Sequence, residues 1–243
     1  MNGIKELFKP GKLVTAPGIF DGISARIADP FNFELLYMTG YGTVASHLGM
    51  PDAGIASYTD MVGRVQMISS VVKTPFIADG DTGYGGLLNM QYTIRGYELA
   101  GAAGIQIEDQ EFPKKCGHTP GRRVIPTEDM IQKIKVAVET RSSSDFLVVA
   151  RTDARTSYGL DEALKRGEAF AKAGADILFI ESPESVDEME RICANFDAPL
   201  LVNVVDGGST PVLSKQDYID LGYQVAIYPG TGFLACAHAL NSV

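Results

Sequence analysis

Short apolar runs alternate with longer amphipathic stretches along almost the whole chain. The apolar runs are rich in β-branched residues and show no strict alternation with polar residues, which is typical of parallel strands that are covered on both faces. Eight such runs predict strands, at residues 13–18, 34–40, 75–81, 104–109, 146–152, 177–182, 200–205 and 224–230.

The stretches between these runs carry helical periodicity and helix-end signals. Thr127 stands before an acidic turn and predicts a helix N-cap, while Gly174 and Gly222 predict left-handed helix ends. Helices are predicted at residues 87–100, 127–140, 160–173, 184–196 and 214–221. No linker or composition shift marks a domain boundary. Eight β/α units in one chain predict a single-domain (β/α)8 TIM barrel over residues 1–243.

Charge and composition narrow the class of partner. The chain has 21 Lys and Arg against 30 Asp and Glu residues, a net charge of −9, so we expect no nucleic-acid or membrane partner. No apolar run reaches the ~20 residues that a bilayer-spanning helix needs. The start of the chain has no secretory signal, and the three cysteines do not form a disulfide framework. We therefore expect a cytoplasmic protein.

Polar residues end most of the predicted strands. A single acidic residue after a strand often does no more than begin a loop. Several acidic residues at the strand ends instead predict a functional site, because a TIM barrel carries its functional residues on that rim. The candidates at these strand ends are Tyr37, Thr39, Gly40, Asp79, Asp81, Glu108, Arg151, Glu181 and Asn203.

Three of these carboxylates predict a metal site. Asp79 and Asp81 are two positions apart on an extended chain, so their side chains point to the same side. Glu108 ends the next predicted strand and can face them. Oxygen ligands without Cys or His suit Mg2+, with Mn2+ as an alternative.

Cys116 lies in a long loop after the fourth predicted strand, in the sequence KKCGH. Lysines, His118 and arginines surround it in sequence and would favour the reactive thiolate. A buried filler role suits Cys193 and Cys236 better, because both lie on apolar helix faces. Zinc binding by Cys116 and His118 lacks the further ligands that a four-coordinate site needs.

A glycine pattern after the second predicted strand resembles a dinucleotide-binding fingerprint. Residues 40–45 match G-x-G-x-x-A, and Asp60 follows Gly40 by 20 positions. The fingerprint needs a helix directly after the glycines and belongs to a first β unit, whereas Gly49 and Pro51 end any helix here after about two turns. We do not expect nicotinamide binding.

Taken together, the motifs resemble those of the isocitrate lyase/phosphoenolpyruvate mutase superfamily. KKCGH resembles the signature of its carbon–carbon lyase branch, which includes 2-methylisocitrate lyase, 2,3-dimethylmalate lyase and oxaloacetate acetylhydrolase. The other matching segments are residues 17–25, 36–42, 49–55, 78–86, 104–110, 150–154 and 228–233.

The resemblance implies a role for each matching residue. Asp79, Asp81 and Glu108 would hold the metal, supported by Asp52. The 2-oxo-acid carboxylate would be bound by Thr39, Gly40 and Tyr41, and the pocket would be lined by Gly117, Glu181 and Asn203. Arg151 would neutralise charge on the oxo group and Tyr37 would handle the substrate hydroxyl proton. The loop of Cys116 and His118, both catalytic candidates, would close as a lid, with Cys116 protonating the carbanion.

The leading prediction is a Mg2+-dependent lyase that cleaves a 2-hydroxy-dicarboxylate into a 2-oxo acid and a carboxylate. An oxaloacetate acetylhydrolase and a non-enzymatic oxo-acid binder are the alternatives. Leu234 stands near the place where methylisocitrate lyases typically carry an arginine, and Tyr41 stands where they tend to carry a small residue, which favours a smaller, substituted malate over a tricarboxylate. The resemblance also implies a homotetramer, and relatives continue beyond the eighth strand through helices that swap between subunits, so we expect this chain to be truncated.

Overall fold

Eight parallel strands close into a barrel in which each strand pairs with its neighbours in sequence, and β1 pairs with β8. The computed structural model describes residues 3–117 and 119–243. The strands are β1 Val14–Ile19, β2 Leu36–Met38, β3 Phe76–Asp79, β4 Gly104–Glu108, β5 Leu147–Thr152, β6 Ile177–Ile180, β7 Leu200–Asn203 and β8 Val225–Tyr228. The predicted TIM barrel is confirmed.

Helices surround the barrel and follow every strand. Their bounds are α1 Gly22–Ala28, α2 Gly40–Leu48, α3 Tyr58–Ser69, α4 Leu87–Leu99, α5 Thr127–Thr140, α6 Ala154–Tyr158, α7 Leu160–Lys172, α8 Val186–Asn195, α9 Lys215–Leu221 and α10 Thr231–Asn241. Short 3-10 helices occupy Ile4–Leu7 and Asp29–Phe31. The five predicted helices correspond to α4, α5, α7, α8 and α9.

Local signals at the helix ends mostly act as predicted. Gly222 ends α9 in the left-handed region with φ +110°, and Gly174 follows α7 with φ +102°. Thr127 is the first residue of α5 rather than its N-cap, because Pro126 occupies the cap position. Gly49 ends α2 with φ +64°, which confirms that no long helix follows the glycine pattern.

The core has two parts. One cluster fills the barrel interior with inward residues such as Val14, Leu147 and Leu201, and Phe8 contributes to it from the segment before β1. The second and larger cluster lies between the strands and the helices and includes Tyr97, Phe170 and Tyr218, all fully buried. Strands covered on both faces account for the unbroken apolar runs in the sequence.

The cysteines lie in different surroundings, and none of the three forms a disulfide in the described part of the chain. Cys193 is half-buried on α8, where burial raises the pKa of its thiol to about 12. The prediction that Cys236 is buried is wrong, because α10 lies on the surface and contributes no buried residue.

The exposed side chains of α10 and of Ile23 and Ile27 on α1 accord with the expected homo-oligomer, which stays a prediction.

Among residues 3–117 and 119–243, no helix combines the length and the apolar character that crossing a membrane would require.

Replacing Phe170 by alanine should lower the free energy of unfolding by about 3–5 kcal/mol, because it empties a fully buried ring site between α7 and the barrel. Urea unfolding followed by circular dichroism measures the change. The matched control is Phe31→Ala, since Phe31 is 69% exposed, and its effect should stay within about 0.5 kcal/mol. Equal effects of the two substitutions would contradict the described core.

Candidate active site

A cavity of about 640 Å³ opens at the C-terminal rim of the barrel. Parallel strands bring their carboxyl ends to one rim, and this is why residues far apart in sequence meet there. The predicted residues that line the cavity are Tyr37, Thr39, Tyr41, Asp52, Asp79, Glu108, Cys116, Gly117, Arg151 and Asn203.

Three other predicted residues lie next to these lining groups. Gly40 packs against Asp79, Asp81 forms an ion pair with Lys114, and Glu181 lies beside Arg151. His118, a catalytic candidate from the sequence, lies outside the described residues. The structure therefore brings together every described residue that the sequence assigned to the site.

The N-terminus of α2 points into this rim. The Thr39 hydroxyl caps the helix by accepting a hydrogen bond from the Gly42 N–H at 3.5 Å. A side chain at Gly40 would clash with Asp79, because a Cβ there would lie 2.5 Å from the Asp79 Oδ2. A helix N-terminus with unpaired N–H groups suits a carboxylate. Carboxylate binding by Thr39, Gly40 and Tyr41 stays a prediction.

Lys114 reaches from the loop after β4 into the carboxylate cluster. Its Nζ lies 2.5 Å from the Asp52 Oδ1 and 2.6 Å from the Asp81 Oδ1, and all three side chains are buried. Burial alone lowers the pKa of Lys114, but the surrounding carboxylates outweigh it and hold that pKa well above its ordinary value. The lysine therefore carries its charge in the site.

Burial has the opposite effect on the carboxylates. It raises the pKa of Asp81 to about 6 and also raises the pKa of Asp79, and the charge of Lys114 opposes both shifts. The pKa of Glu108 is raised well above its ordinary value by burial, against the opposing charge of Arg151. Withdrawal from water thus makes the ionised cluster dependent on nearby positive charge.

The donor set fits a hard divalent cation. Asp79, Asp81 and Glu108 offer only oxygen atoms, and the buried Glu108 Oε1 has no hydrogen-bond partner among the described residues. Across residues 3–117 and 119–243, no three acidic, histidine or cysteine side chains converge closely enough to hold an ion by themselves. Mg2+ commonly keeps several water ligands and needs only one or two carboxylates, so the open spacing suits it.

Arg151 stands among three acidic side chains. Its Nε and Nη2 donate to Asp153 at 2.9 and 2.8 Å, and its Nη atoms lie 3.4 Å from Glu108 and 3.5 Å from Glu181. The guanidinium also lies 5.2 Å from the centre of the Phe179 ring. Asp153 holds the fork in place by a two-point contact, so Arg151 presents a fixed positive charge to the cavity.

Tyr37 is held by a residue that the strand-end pattern did not single out. The Tyr37 hydroxyl donates to the Gln106 Oε1 at 2.8 Å, and the Gln106 Nε2 donates to the Asp79 Oδ1 at 3.4 Å. Burial raises the pKa of Tyr37 well above its ordinary value, and the charge of Asp79 adds to the rise. Tyr37 is therefore a neutral phenol whose hydrogen points at the amide.

Glu181 and Asn203 form a polar group on the β6–β7 side of the cavity. The Asn203 Nδ2 donates to the Glu181 Oε2 at 3.2 Å, while the buried Asn203 Oδ1 has no hydrogen-bond partner in the part of the chain that the structure describes. The Ser182 N–H donates to the Glu181 Oε1 at 2.8 Å. Ser182 has φ +60°, a conformation that costs energy outside glycine and asparagine and that often accompanies functional sites.

The loop of residues 110–124, of which all but 118 are described, covers one side of the cavity and is called the lid below. Its base is closed by backbone hydrogen bonds from Glu111 N to Arg123 O and from Ile125 N to Asp109 O, both 2.8 Å. The Gln110 amide donates to the Lys115 carbonyl at 2.9 Å and accepts from the Lys115 N–H at 3.0 Å.

The lid tip carries Cys116 to the cavity and packs closely on Arg151. A Cβ at Gly117 would lie 2.6 Å from the Arg151 Nη2 and 3.1 Å from the Glu181 Oε2, so only glycine allows this approach. The lysines and arginines expected to surround the thiol each have partners of their own. Lys114 pairs with Asp52 and Asp81, Lys115 with the carbonyls of residues 120 and 121, Arg122 with Asp153, and Arg123 with Glu111.

The opposite wall of the cavity is apolar. Tyr41 makes an edge-to-face contact with Phe233, with ring centres 5.2 Å apart, and Leu234 lines the cavity next to Gly230. The cavity thus has a charged side, built from strand ends and the lid, and an apolar patch, formed by the side chains of Tyr41 and Leu234.

Sequence reasoning missed Gln106, Asp153 and the inward position of Lys114. Gln106 and Asp153 lie two positions from Glu108 and Arg151, and the period of two along a strand could have indicated Gln106. No local signal could have shown that Lys114 pairs with Asp52 and Asp81, since these contacts depend on how the lid folds back over the rim.

Comparison with known proteins gives relatives that include two named lyases. The chain is 48% identical to 2,3-dimethylmalate lyase of Eubacterium barkeri, over 98% of this chain and 82% of that protein. It is 40% identical to 2-methylisocitrate lyase of Aeropyrum pernix, over 99% of this chain and 77% of that protein.

A solved structure shares the fold as well as the sequence. Oxaloacetate acetylhydrolase in complex with the inhibitor 3,3-difluorooxalacetate superposes with a TM-score of 0.95 and 36% identity, covering 99% of this chain and 83% of that one. The sequence profile of the phosphoenolpyruvate phosphomutase family matches residues 4–243. The chain therefore belongs to the phosphoenolpyruvate phosphomutase family and is a carbon–carbon lyase of the isocitrate lyase/phosphoenolpyruvate mutase superfamily.

Proposed function

We propose that this enzyme cleaves a substituted malate, such as 2,3-dimethylmalate, into a 2-oxo acid and a carboxylate, with Mg2+ as cofactor. The cavity is the main support for this proposal, because buried carboxylates, the charge of Arg151, the Cys116 lid and an apolar wall all line it. The 48% identity to 2,3-dimethylmalate lyase supports the same substrate class.

Asp79, Asp81 and Glu108 would hold the metal, with Asp52 beside them through Lys114. When bound, Mg2+ supplies positive charge that polarises the substrate oxygens. The N-terminus of α2 at Thr39 and Gly40 would bind the carboxylate next to the substrate hydroxyl. The reacting carbons would then lie between the strand ends and the lid.

In the proposed cleavage, the substrate hydroxyl releases its proton to solvent and becomes the 2-oxo group, and after the cleavage the Cys116 thiolate takes one proton back from solvent. The bond between C2 and C3 breaks, and its electron pair stays on C3, conjugated with the adjacent carboxylate. The Cys116 thiol then donates a proton to C3 and completes the second product. Arg151 stabilises the negative charge that develops on oxygen, and the Tyr37 oxygen faces the hydroxyl.

The apolar wall favours alkyl substituents over a third carboxylate. Leu234 and Tyr41 offer no positive charge, so a carboxylate placed against them would have no ion-pair partner there. Methyl groups on the malate carbons would instead bury apolar surface there.

A second candidate reaction is the hydrolysis of oxaloacetate to oxalate and acetate. It is favoured by the TM-score of 0.95 to the inhibitor-bound oxaloacetate acetylhydrolase. In that reaction water adds to the keto group before the same carbon–carbon bond breaks, and Cys116 again supplies the proton to the departing carbon.

A substrate panel separates these reactions. The purified enzyme with Mg2+ is expected to release a 2-oxo acid from 2,3-dimethylmalate at least 10-fold more efficiently, in kcat/KM, than from 2-methylisocitrate, since the unpaired third carboxylate disfavours the latter. Hydrazone formation measures the 2-oxo acid, and loss of the oxaloacetate absorbance measures hydrolysis. Leu234→Arg adds a positive charge to the apolar wall and should reduce the ratio of kcat/KM for 2,3-dimethylmalate to kcat/KM for 2-methylisocitrate. Faster turnover of oxaloacetate would assign the hydrolase instead.

The metal assignment predicts that Asp79→Ala and Asp81→Ala lose turnover and weaken Mn2+ binding by at least ~10-fold while the barrel stays folded, because each removes an oxygen ligand. Electron paramagnetic resonance measures bound Mn2+, and circular dichroism checks folding. The control is Asp187→Ala, because Asp187 is an exposed acidic residue on α8. This substitution should leave turnover and Mn2+ binding unchanged. Full wild-type turnover in excess chelator would reject the metal.

The proposed role of Cys116 predicts that its substitution lowers turnover without weakening ligand binding. Cys116→Ser keeps the size of the side chain but supplies a far weaker acid, so turnover should fall by ~10²–10⁴. Oxalate affinity, measured by calorimetry, should stay close to wild type, because the strand-end carboxylates are untouched. The exposed Cys236→Ser is the matched control and should keep full turnover. Turnover of Cys116→Ser within a few-fold of wild type would show that another group is the acid.

A further inference from the structure

Gln106 is an exception to the apolar filling of the barrel interior. It lies on β4, is fully buried, and is paired in register with Asp79 of β3. The other even-numbered strands place Tyr37, Phe179 and Ile227 in the interior cluster, and all three also line the cavity. A buried amide costs free energy unless its hydrogen bonds are made, so its presence among these side chains calls for a reason.

Both ends of the Gln106 amide are used. Its oxygen accepts the hydrogen of the Tyr37 hydroxyl at 2.8 Å, and its NH2 group donates to the Asp79 carboxylate at 3.4 Å. The reverse orientation would place the amide oxygen against the carboxylate oxygen, two acceptors in contact, and would turn the amide donor toward Tyr37. Asp79 therefore decides which end of the amide faces Tyr37.

This orientation decides what Tyr37 can offer to a ligand. A phenol has one hydrogen to donate and lone pairs that accept. Because the hydrogen is committed to Gln106, only the acceptor side of the Tyr37 oxygen is left for the cavity. An acceptor fixed at this place recognises a hydroxyl group, which donates, and disfavours a carbonyl or carboxylate oxygen, which cannot.

We propose that Gln106 is a positioning residue that fixes Tyr37 as a hydrogen-bond acceptor for the substrate's 2-hydroxyl group, and so selects hydroxy acids from other dicarboxylates. The assignment rests on the proposed function for the identity of the hydroxyl. It adds to that function the residue that sets the direction of the hydrogen bond.

Malate and succinate test this selection, because they share a carbon skeleton and differ in the hydroxyl group. Calorimetry gives the ratio of the succinate and malate dissociation constants for wild type, Tyr37→Phe, Gln106→Met and the double variant, all with saturating Mg2+. Wild type should favour malate. Each single variant should lower the ratio by about 3–10-fold, the value of one net hydrogen bond, and the double variant should lower it no further than Tyr37→Phe alone.

A merely structural role of Gln106 would weaken both ligands alike and leave the ratio unchanged, which would overturn the proposal. A further loss of the ratio when Gln106→Met is added to Tyr37→Phe would also overturn it, because Gln106 would then act without Tyr37. If Gln106→Met does not fold, as judged by circular dichroism, Gln106→Leu removes the same two contacts and replaces it in the cycle.

The outcome for Gln106 is separable from that for the proposed reaction. An enzyme that cleaves no 2-hydroxy-dicarboxylate but shows the predicted malate–succinate cycle would reject the proposed function and support the Gln106 assignment. An enzyme that cleaves 2,3-dimethylmalate but shows no effect of Gln106→Met on the ratio would support the function and reject the assignment.

Discussion

Lys114 and Arg151 each bring a fixed positive charge into carboxylates that the barrel withdraws from water. Asp52 and Asp81 depend on the first, and Glu108, Asp153 and Glu181 lie around the second. Removing one partner of a buried ion pair costs far more than the pair is worth, because an uncompensated charge is left behind. The charged side chains of the rim therefore stabilise one another, and their ion pairs hold them in position before a ligand binds.

This constraint links the lid to the strands. Lys114 comes from the lid, whereas the carboxylates it meets come from the strand ends and the segment after α2. Gly117 then places the lid backbone against Arg151, where any larger residue would clash. Because the charges of the rim and the fold of the lid depend on each other, Cys116 is held at the cavity by the same contacts that balance the carboxylates.

The two sides of the cavity have different physical roles. In the proposed function, the charged side would bind the substrate carboxylates and a cation, and both candidate reactions would need it. The apolar side of Tyr41, Phe233 and Leu234 would discriminate among substrates, because it offers no positive charge to a further carboxylate. Gln106 adds a finer selection, since the direction of one hydrogen bond distinguishes a hydroxyl from a carbonyl oxygen.

The sequence by itself determined the eight-unit barrel and the polar rim, because apolar runs, helix periods and strand-end residues are local properties of the chain. Six of the eight predicted strands ran past their C-terminal ends, as residues 200–205 did beyond Asn203, whereas the predictions for β1 and β5 did not. Short α6 escaped the pattern because it presents no buried stripe of useful length.

Only the tertiary structure decided which side chains meet within the rim. Tyr37 and Gln106 are 69 positions apart in sequence, and they touch because both side chains point into the interior of a closed barrel. Lys114 looked like a basic neighbour of Cys116, yet its charge is bound by Asp52 and Asp81. Contacts of this kind depend on barrel closure and on the path of the lid, which no local pattern of residues encodes.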